Sequence, residues 1–405
     1  MIDIPSKNKL LKKAESIGNE LLKEADRLND GSITWGRGAD LNLQPVPDSG
    51  IFNGRCGEGL FFGALYKATN DRKFKKASIQ CFRGLQKNLG NSGYRENLIQ
   101  RLGLGLAGVG GILYSLVRTS EFIGEYSMLE DAENVTASVT PTHIKKDNLL
   151  EIVRGTAGLI PGLLALSDKG CEHALRTARI CGSHLLEYRV TDPVTKRKAW
   201  AVQRYIPESG FAHGSSGIAH SLQQLYKRIG ELRFYEAAIE AFSFERSIFR
   251  EDELNWPDSR EQKIIKMCSW CWGATGIGFI RLQALDIIKK PDEPDIALDL
   301  MNALNKTNSL PLQPRDNLCC GNFGRIDFLL EASRRLGNLS LKQAAFKKAQ
   351  ACLDNCSAAH KFKLPPVNPH KPHLAPGFWK GLSGCGYSLL RLADLKSFPC
   401  VLMME

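Results

Sequence analysis

Residues 318–332 read LCCGNFGRIDFLLEA, in which two adjacent cysteines, Cys319 and Cys320, run into Gly321-x-x-Gly324 and then an apolar segment. Neighbouring cysteines are poor partners for each other, because a bond between them strains the disulfide torsion and the trans peptide. The pair has to be read through what surrounds it. The same Gly-x-x-Gly, each time leading into apolar residues, recurs at Gly54–Gly57, Gly105–Gly108, Gly155–Gly158, Gly214–Gly217, Gly273–Gly276 and Gly381–Gly384. From first glycine to first glycine the steps are 51, 50, 59, 59, 48 and 60 residues. One such motif carries almost no information, whereas seven at this spacing mark a repeat architecture.

A step of that size holds two helices and two loops. The segment after each glycine pair, such as IGFIRLQALDII at 277–288, is apolar on most sides and predicts a helix buried on more than one face. Between these lie segments such as NKLLKKAESIGNELLKEADRL at 8–28 and LKQAAFKKAQACL at 341–353, charged on one side with apolar residues at helical spacing. They suit an outer layer. No stretch sustains the alternation of a half-buried strand. The pattern predicts an all-α protein, an α/α toroid of seven inner and seven outer helices with every glycine turn at one end. An open α-solenoid is the alternative, but seven short-range units followed by a definite stop favour closure.

A chain of 405 residues would ordinarily split into two or three domains. A repeat fold escapes that count, and one domain over residues 1–405 is expected. The composition, 43% hydrophobic and 24% charged, is that of an ordinary globular protein. No apolar run reaches the ~18 residues that span a bilayer. The start, MIDIPSKNKLLKKAES, lacks a signal peptide's apolar stretch, so a cytoplasmic location is expected. There the twelve cysteines are not a disulfide framework. Cys81, Cys171 and Cys181 stand singly among apolar residues as small core side chains, and Cys352-x-x-x-Cys356 reads the same way. The net charge of +11 admits an acidic partner, but the basic runs at 71–76 (DRKFKK) and 196–198 (KRK) lack interleaved aromatics and read as solvated faces rather than nucleic-acid contacts.

If the seven units are equivalent, the residues just before each first glycine share one rim. Immediately before it stand Asn53, Leu104, Arg154, His213, Trp272, Cys320 and Lys380, and one place earlier Phe52, Gly103, Val153, Ala212, Cys271, Cys319 and Trp379. This register sets Cys271 of unit five against Cys319 and Cys320 of unit six, with His213 of unit four next along. Three converging thiols in a reducing compartment suggest Zn2+, which thiolates hold tetrahedrally. Three protein ligands leave a fourth position for water or substrate, the pattern of a catalytic site.

At these residues the chain resembles the lanthionine-synthetase C-like cyclases, and within them the cyclase domain of class II (LanM) lanthipeptide synthetases. The resemblance spans nearly the whole chain, through GRCGEGLFFGALY at 54–66, GFAHGSSGIAHSL at 210–222, NWPD at 255–258, SWCWGATGIGFIRL at 269–282, LCCGNFGRIDFLLEA, GFWKGLSGCGYSLLRL at 377–392 and the ending SFPCVLMME. It implies a toroid whose zinc, held by Cys271, Cys319 and Cys320, activates a peptide cysteine. The activated thiol adds to dehydroalanine or dehydrobutyrine in the same dehydrated precursor peptide, leader plus core, and closes a thioether ring. By motif, His213 matches the family's acid/base residue, and Glu151 stands where the family has an acidic residue. The resemblance also implies a dehydratase domain, in cis or as a separate chain; no such domain is expected within these residues.

The chain departs from the pattern in three places. Most relatives read CHG where it reads CCG, so an imidazole ligand is replaced by a thiolate. Trp272 stands where LanM proteins often carry a polar residue. Met267, next to Lys266, occupies the place of an arginine in stand-alone cyclases, and that role does not transfer. His220 reads as structural, and His370 and His373 as an exposed proline-rich loop. A zinc-containing protein of this family that binds thiols or peptides without turnover is the alternative function. A toroidal prenyltransferase or glycosidase fits poorly, since the former uses Asp, Cys and His ligands and the latter two opposed carboxylates.

Overall fold

The computed structural model describes residues 4–35, 49–202, 206–258, 267–287, 294–359, 361–365 and 374–405. Sixteen helices lie among them. In chain order they are α1 (Lys7–Lys23), α2 (Arg55–Thr69), α3 (Arg72–Leu89), α4 (Ser92–Leu102), α5 (Val109–Ile123), α6 (Ser127–Ser138), α7 (Pro141–Lys145) and α8 (Thr156–Ser167). Then come α9 (Glu172–Glu187), α10 (Ser215–Ile229), α11 (Leu232–Ser247), α12 (Ala274–Ala284), α13 (Pro294–Ser309), α14 (Asn322–Leu336), α15 (Leu339–Ala359) and α16 (Leu382–Ala393). The two short hairpins pair β1 (Asp26–Arg27) with β2 (Ile33–Thr34) and β3 (Val190–Thr191) with β4 (Lys198–Ala199).

Seven helices, α2, α5, α8, α10, α12, α14 and α16, each pack on the next, and α16 packs back on α2. The ring therefore closes, and the protein is an α/α toroid rather than an open solenoid. Burial explains the division into layers. The first eleven residues of α2, Arg55 to Leu65, are all buried, as an inner helix with neighbours on every side requires. On α1, by contrast, Leu10, Ala14, Ile17, Gly18 and Leu21 are buried along one stripe. Outer helices α3, α6, α9, α11, α13 and α15 each follow the inner helix they cover. The seventh cover comes from the other end of the sequence, since α1 packs on α16.

Each inner helix begins at a glycine turn at the same end of the ring. The glycine pairs are there for room. A Cβ on Gly57, Gly158, Gly217, Gly276, Gly324 or Gly384 would land on the carbonyl oxygen of Ile51, Ile152, Phe211, Trp270, Leu318 or Phe378, so the loop lies directly against its own helix. Unit two differs from the sequence register. Its helix starts at Val109 with Gly108 as N-cap, three residues later than Gly105–Gly108 implies. A Cβ on Gly111 would strike the Leu106 carbonyl, so Gly108 and Gly111 fill the roles of the pair.

Since glycine offers no side-chain cap, the first free N–H groups of these helices are satisfied from elsewhere. Asp147 accepts from the Thr156 N–H at 2.6 Å, Glu245 from Ser216 at 3.1 Å, and Asn255 of the NWPD stretch from Ala274 at 2.8 Å. Glu245 also meets Arg281, whose guanidinium is fully buried and bridges to Asp299 at 3.2 Å. This ion triad ties α12 to α11 and α13.

The centre of the ring is filled from the end opposite the glycine turns. A short 3-10 turn, Val401–Met403, is wholly buried there. Its carbonyls accept from Trp270 Nε1 (to Leu402, 2.9 Å) and Gln224 Nε2 (to Met403, 2.9 Å), while Tyr114 donates to the Glu405 carbonyl at 2.7 Å. His220 is enclosed in the same region, between Gln283 and Gln224. Burial lowers its pKa to about 4, so it stays neutral, in agreement with a structural role.

Candidate metal centre

The glycine turns surround a cavity of about 600 Å3. Most of its walls are residues one or two places before an inner helix's glycine, among them Asn53, Arg154, His213, Trp272, Cys320 and Lys380. Unit two contributes Ala107, not the Leu104 that the sequence register predicts, because its helix starts later. Neighbouring turns are stitched together by backbone bonds. Ala107 N–H donates to Val153 (2.7 Å), Ala212 to Cys271 (3.1 Å), Cys319 to Trp379 (3.0 Å) and Trp379 to Phe52 (2.9 Å). A site assembled from separate units thus sits on turns tied to one another across unit boundaries.

Three sulfurs meet in this cavity. Cys271 Sγ lies 3.3 Å from Cys319 Sγ and 3.1 Å from Cys320 Sγ, and the adjacent pair are 3.3 Å apart. Adjacent cysteines reach one point because Asn317 Oδ1 accepts from the Cys320 N–H at 2.8 Å, folding the chain into a turn just before α14. Among the described residues this trio is the one group of three or more His, Cys, Asp or Glu placed to hold a metal ion. Cys352 and Cys356 are buried on α15 without such partners, as core residues.

The chemistry of the donor set suits a metal cation. The Cys319 contact favours the Cys271 thiolate, but Cys320 and burial outweigh it and push the thiol up to about 12. Cys319 is driven well above the ordinary thiol range by its hydrogen bonds to Cys271 and Cys320, by burial and by repulsion from their sulfurs. Three sulfurs this close cannot share the ionised state without positive charge between them. Tetrahedral zinc with ~2.3 Å bonds separates its sulfurs by ~3.8 Å, so slight spreading of the trio admits the ion. All seven inner helices also turn their N-termini toward this end, and the partial positive charge there favours anions.

His213 and Glu151 come together beside the trio. Glu151 is 2% exposed, and its carboxylate accepts from the backbone N–H of Val153 and, at 3.0 Å, of Arg154. The same carboxylate lies 3.5 Å from His213 Nδ1, which is buried and makes no closer contact. The His213 ring stands 5.9 Å from that of Trp272. Glu151 is therefore both the clamp of its own turn and the group that faces the histidine.

Apolar side chains that sequence reasoning missed complete the cavity. Leu149, Val202 and Trp270 line it, although none stands one or two places before a glycine pair. Trp270 belongs to a cluster with Phe52 (6.4 Å), Phe211 (5.0 Å) and Trp379 (5.5 Å). Its place three residues before Gly273 is a signal that a longer register would have found. Met267 uses its carbonyl to accept from Asn255 at 3.0 Å, and is not among the cavity's lining residues. Lys266, His370 and His373 fall outside the described residues.

Among solved structures, nisin cyclase matches with a TM-score of 0.62 at 15% identity, covering 97% of each chain. A sugar epimerase from a ruminal bacterium follows at TM-score 0.47 and 11% identity, over 96% of this chain and 99% of its own. An unsaturated glucuronyl hydrolase from Bacillus sp. GL1 follows at 0.46 and 12%, over 96% and 97%. No helix among the described residues is long and apolar enough to cross a membrane. Residues 45–403 match the lanthionine synthetase C-like protein family, and the chain belongs to that family.

Proposed function

We propose that this protein is a zinc-dependent lanthipeptide cyclase of the LanM type, closing lanthionine and methyllanthionine rings in a dehydrated precursor peptide. The observation that carries this reading is the convergence of three cysteine sulfurs, from two neighbouring units, in one cavity with a carboxylate-backed histidine. Zinc held by Cys271, Cys319 and Cys320 would supply the positive charge that keeps a peptide thiol ionised at neutral pH, where a free thiol is only a few per cent thiolate.

In ring closure the peptide sulfur bonds to the β-carbon of the dehydroamino acid. The double-bond electron pair moves onto the α-carbon and its carbonyl, and the α-carbon then takes up a proton. His213 is assigned as the donor of that proton. The Glu151 carboxylate, 3.5 Å from Nδ1, orients the ring. The proton shed by the peptide thiol restores His213, so the reaction is an addition that loses no atoms. Phe52, Trp270 and Trp272 line the cavity with aromatic surface that limits water near the developing negative charge.

The substrate must reach the cavity already dehydrated, so a dehydratase, in cis or as a separate chain, is the implied partner. The reading includes a cytoplasmic location, where thiols stay reduced. A synthetic peptide with one cysteine and one dehydroalanine tests the reading. Incubation with the zinc-loaded protein should remove the alkylatable thiol without changing the peptide's mass. The assignment fails if replacing Cys271, Cys319 and Cys320 together by alanine leaves that loss unchanged. Thiol binding without ring closure would instead identify a binding protein.

A further inference from the structure

The hairpin formed by β3 and β4 leaves the outer layer between α9 and α10 and has no place in the chemistry above. Asp192 turns it. Its side chain accepts from the N–H groups of Val194 (3.2 Å) and Thr195 (2.6 Å), and its backbone pairs with Arg197 and Lys196. The carboxylate is thereby turned into the hairpin, and Asp192 is buried. The three cations that follow, Lys196, Arg197 and Lys198, are exposed and have no carboxylate partner among the described residues. Arg189, at the hairpin's base, is instead paired with Glu240.

The hairpin also shows apolar surface, with Val194 84% exposed and Val190 38% exposed. β4 packs on α11, while both residues of β3 are exposed on the outer side. Past β4 the chain is anchored by Trp200, whose Nε1 donates to the Leu185 carbonyl at 2.8 Å, and two residues on Val202 lines the thiol cavity. Lys198 and Val202 are four residues apart, ~14 Å at full extension.

We propose that this hairpin docks an extended acidic peptide segment beside the mouth of the cavity. Uncompensated positive charge selects acidic side chains, and valines next to an outer strand suit a peptide lying alongside it. That the segment belongs to the same peptide whose thiols enter the cavity rests on the cyclase reading; the docking itself does not. A nucleic acid is disfavoured because both aromatics flanking the hairpin are engaged, Tyr188 against His184 at 4.6 Å between ring centres and Trp200 fully buried.

The probe is a fluorescein-labelled twelve-residue peptide alternating Glu with Val and Thr, with a matched peptide carrying Gln for Glu. Fluorescence anisotropy needs neither metal nor turnover, so failure here and failure of the cyclase reading are separate results. Replacing Lys196, Arg197 and Lys198 together by Gln should weaken the acidic peptide about tenfold at low salt, the scale of three exposed ion pairs. Arg72→Gln, Lys75→Gln and Lys76→Gln together remove equal charge elsewhere and should weaken it less than about twofold. On the unaltered protein, raising salt should release the acidic peptide, and the Gln peptide should bind more weakly at low salt. Equal weakening by both triple replacements, no weakening by the hairpin one, or no salt dependence would overturn the proposal. So would a twelve-nucleotide oligouridylate that displaces the probe at lower concentration than the unlabelled acidic peptide.

Discussion

His213 and Glu151 show how one side chain can serve the fold and the site together. The carboxylate is held by two backbone N–H groups of its own turn, so its position is set before any substrate arrives. His213 has no comparable tie, since its Nδ1 contacts only Glu151, at 3.5 Å. Its replacement should therefore cost activity and not structure. On the proposed cyclase reading, His213→Asn is expected to bind zinc as the parent does and to keep its helicity while ring closure slows by ~10²-fold or more, the scale of general acid–base catalysis. Zinc analysis, circular dichroism and the thiol-loss assay measure the three quantities. An unchanged rate would leave the residue a wall of the cavity and nothing more.

At the scale of the element, the inner helices are placed by contacts that tolerate no added atom. A Cβ on Gly276 would occupy the Trp270 carbonyl oxygen, and that carbonyl cannot retreat without moving the chain next to Cys271. Gly276→Ala should lower the stability of the fold by about 2 kcal/mol or more, as overpacking against backbone does. Gly90→Ala, where nothing lies within 4 Å and φ is −63°, should change it little. Thermal unfolding of the two variants compares them directly. Helix α10 carries a second, pH-dependent signature. His220 has a folded pKa of about 4 against an ordinary value near 6.5, so the unfolded chain binds the extra proton first. Stability from this group is complete above pH 6.5, falls as the pH drops, and is lost by about pH 4, for a total of about 3 kcal/mol. Urea midpoints followed from pH 7 to pH 4 should drop less steeply in His220→Gln than in the parent.

At the scale of the whole molecule, the ring depends on a contact between the two ends of the sequence. α1 is the outer helix of α16, and Leu10 in its first turn is fully buried. Leu10→Ala should cost about 2–5 kcal/mol, the usual range for a buried leucine truncated to alanine. Because α1 covers α16, hydrogen exchange should accelerate at residues 382–393 as well as in α1. Acceleration confined to α1 would make that helix an appendage and not the seventh cover. The Val401–Met403 turn acts similarly from within, since the Leu402 carbonyl holds Trp270, the neighbour of Cys271, in place.

The all-helical toroid was legible in the sequence because its units repeat and its layers differ in burial, and both are properties of local pattern. The neighbourhood of Cys271, Cys319 and Cys320 was legible for the same reason, as equivalent places in a repeat must share a rim. Three features were decided only in three dimensions. Unit two offers overlapping glycine pairs in GLAGVGG, and only packing against the Leu106 carbonyl selects Gly108 and Gly111. The partner of α16 lies more than 350 residues away, at Lys7–Lys23, and no local periodicity can encode so distant a pairing. Leu149 and Val202 reach the cavity from loops of irregular length, outside the places the repeat makes equivalent. Short-range pattern determines which segments become helices and how they are layered. The closing contact and the shape of the site arise from packing between residues that only the folded chain brings together.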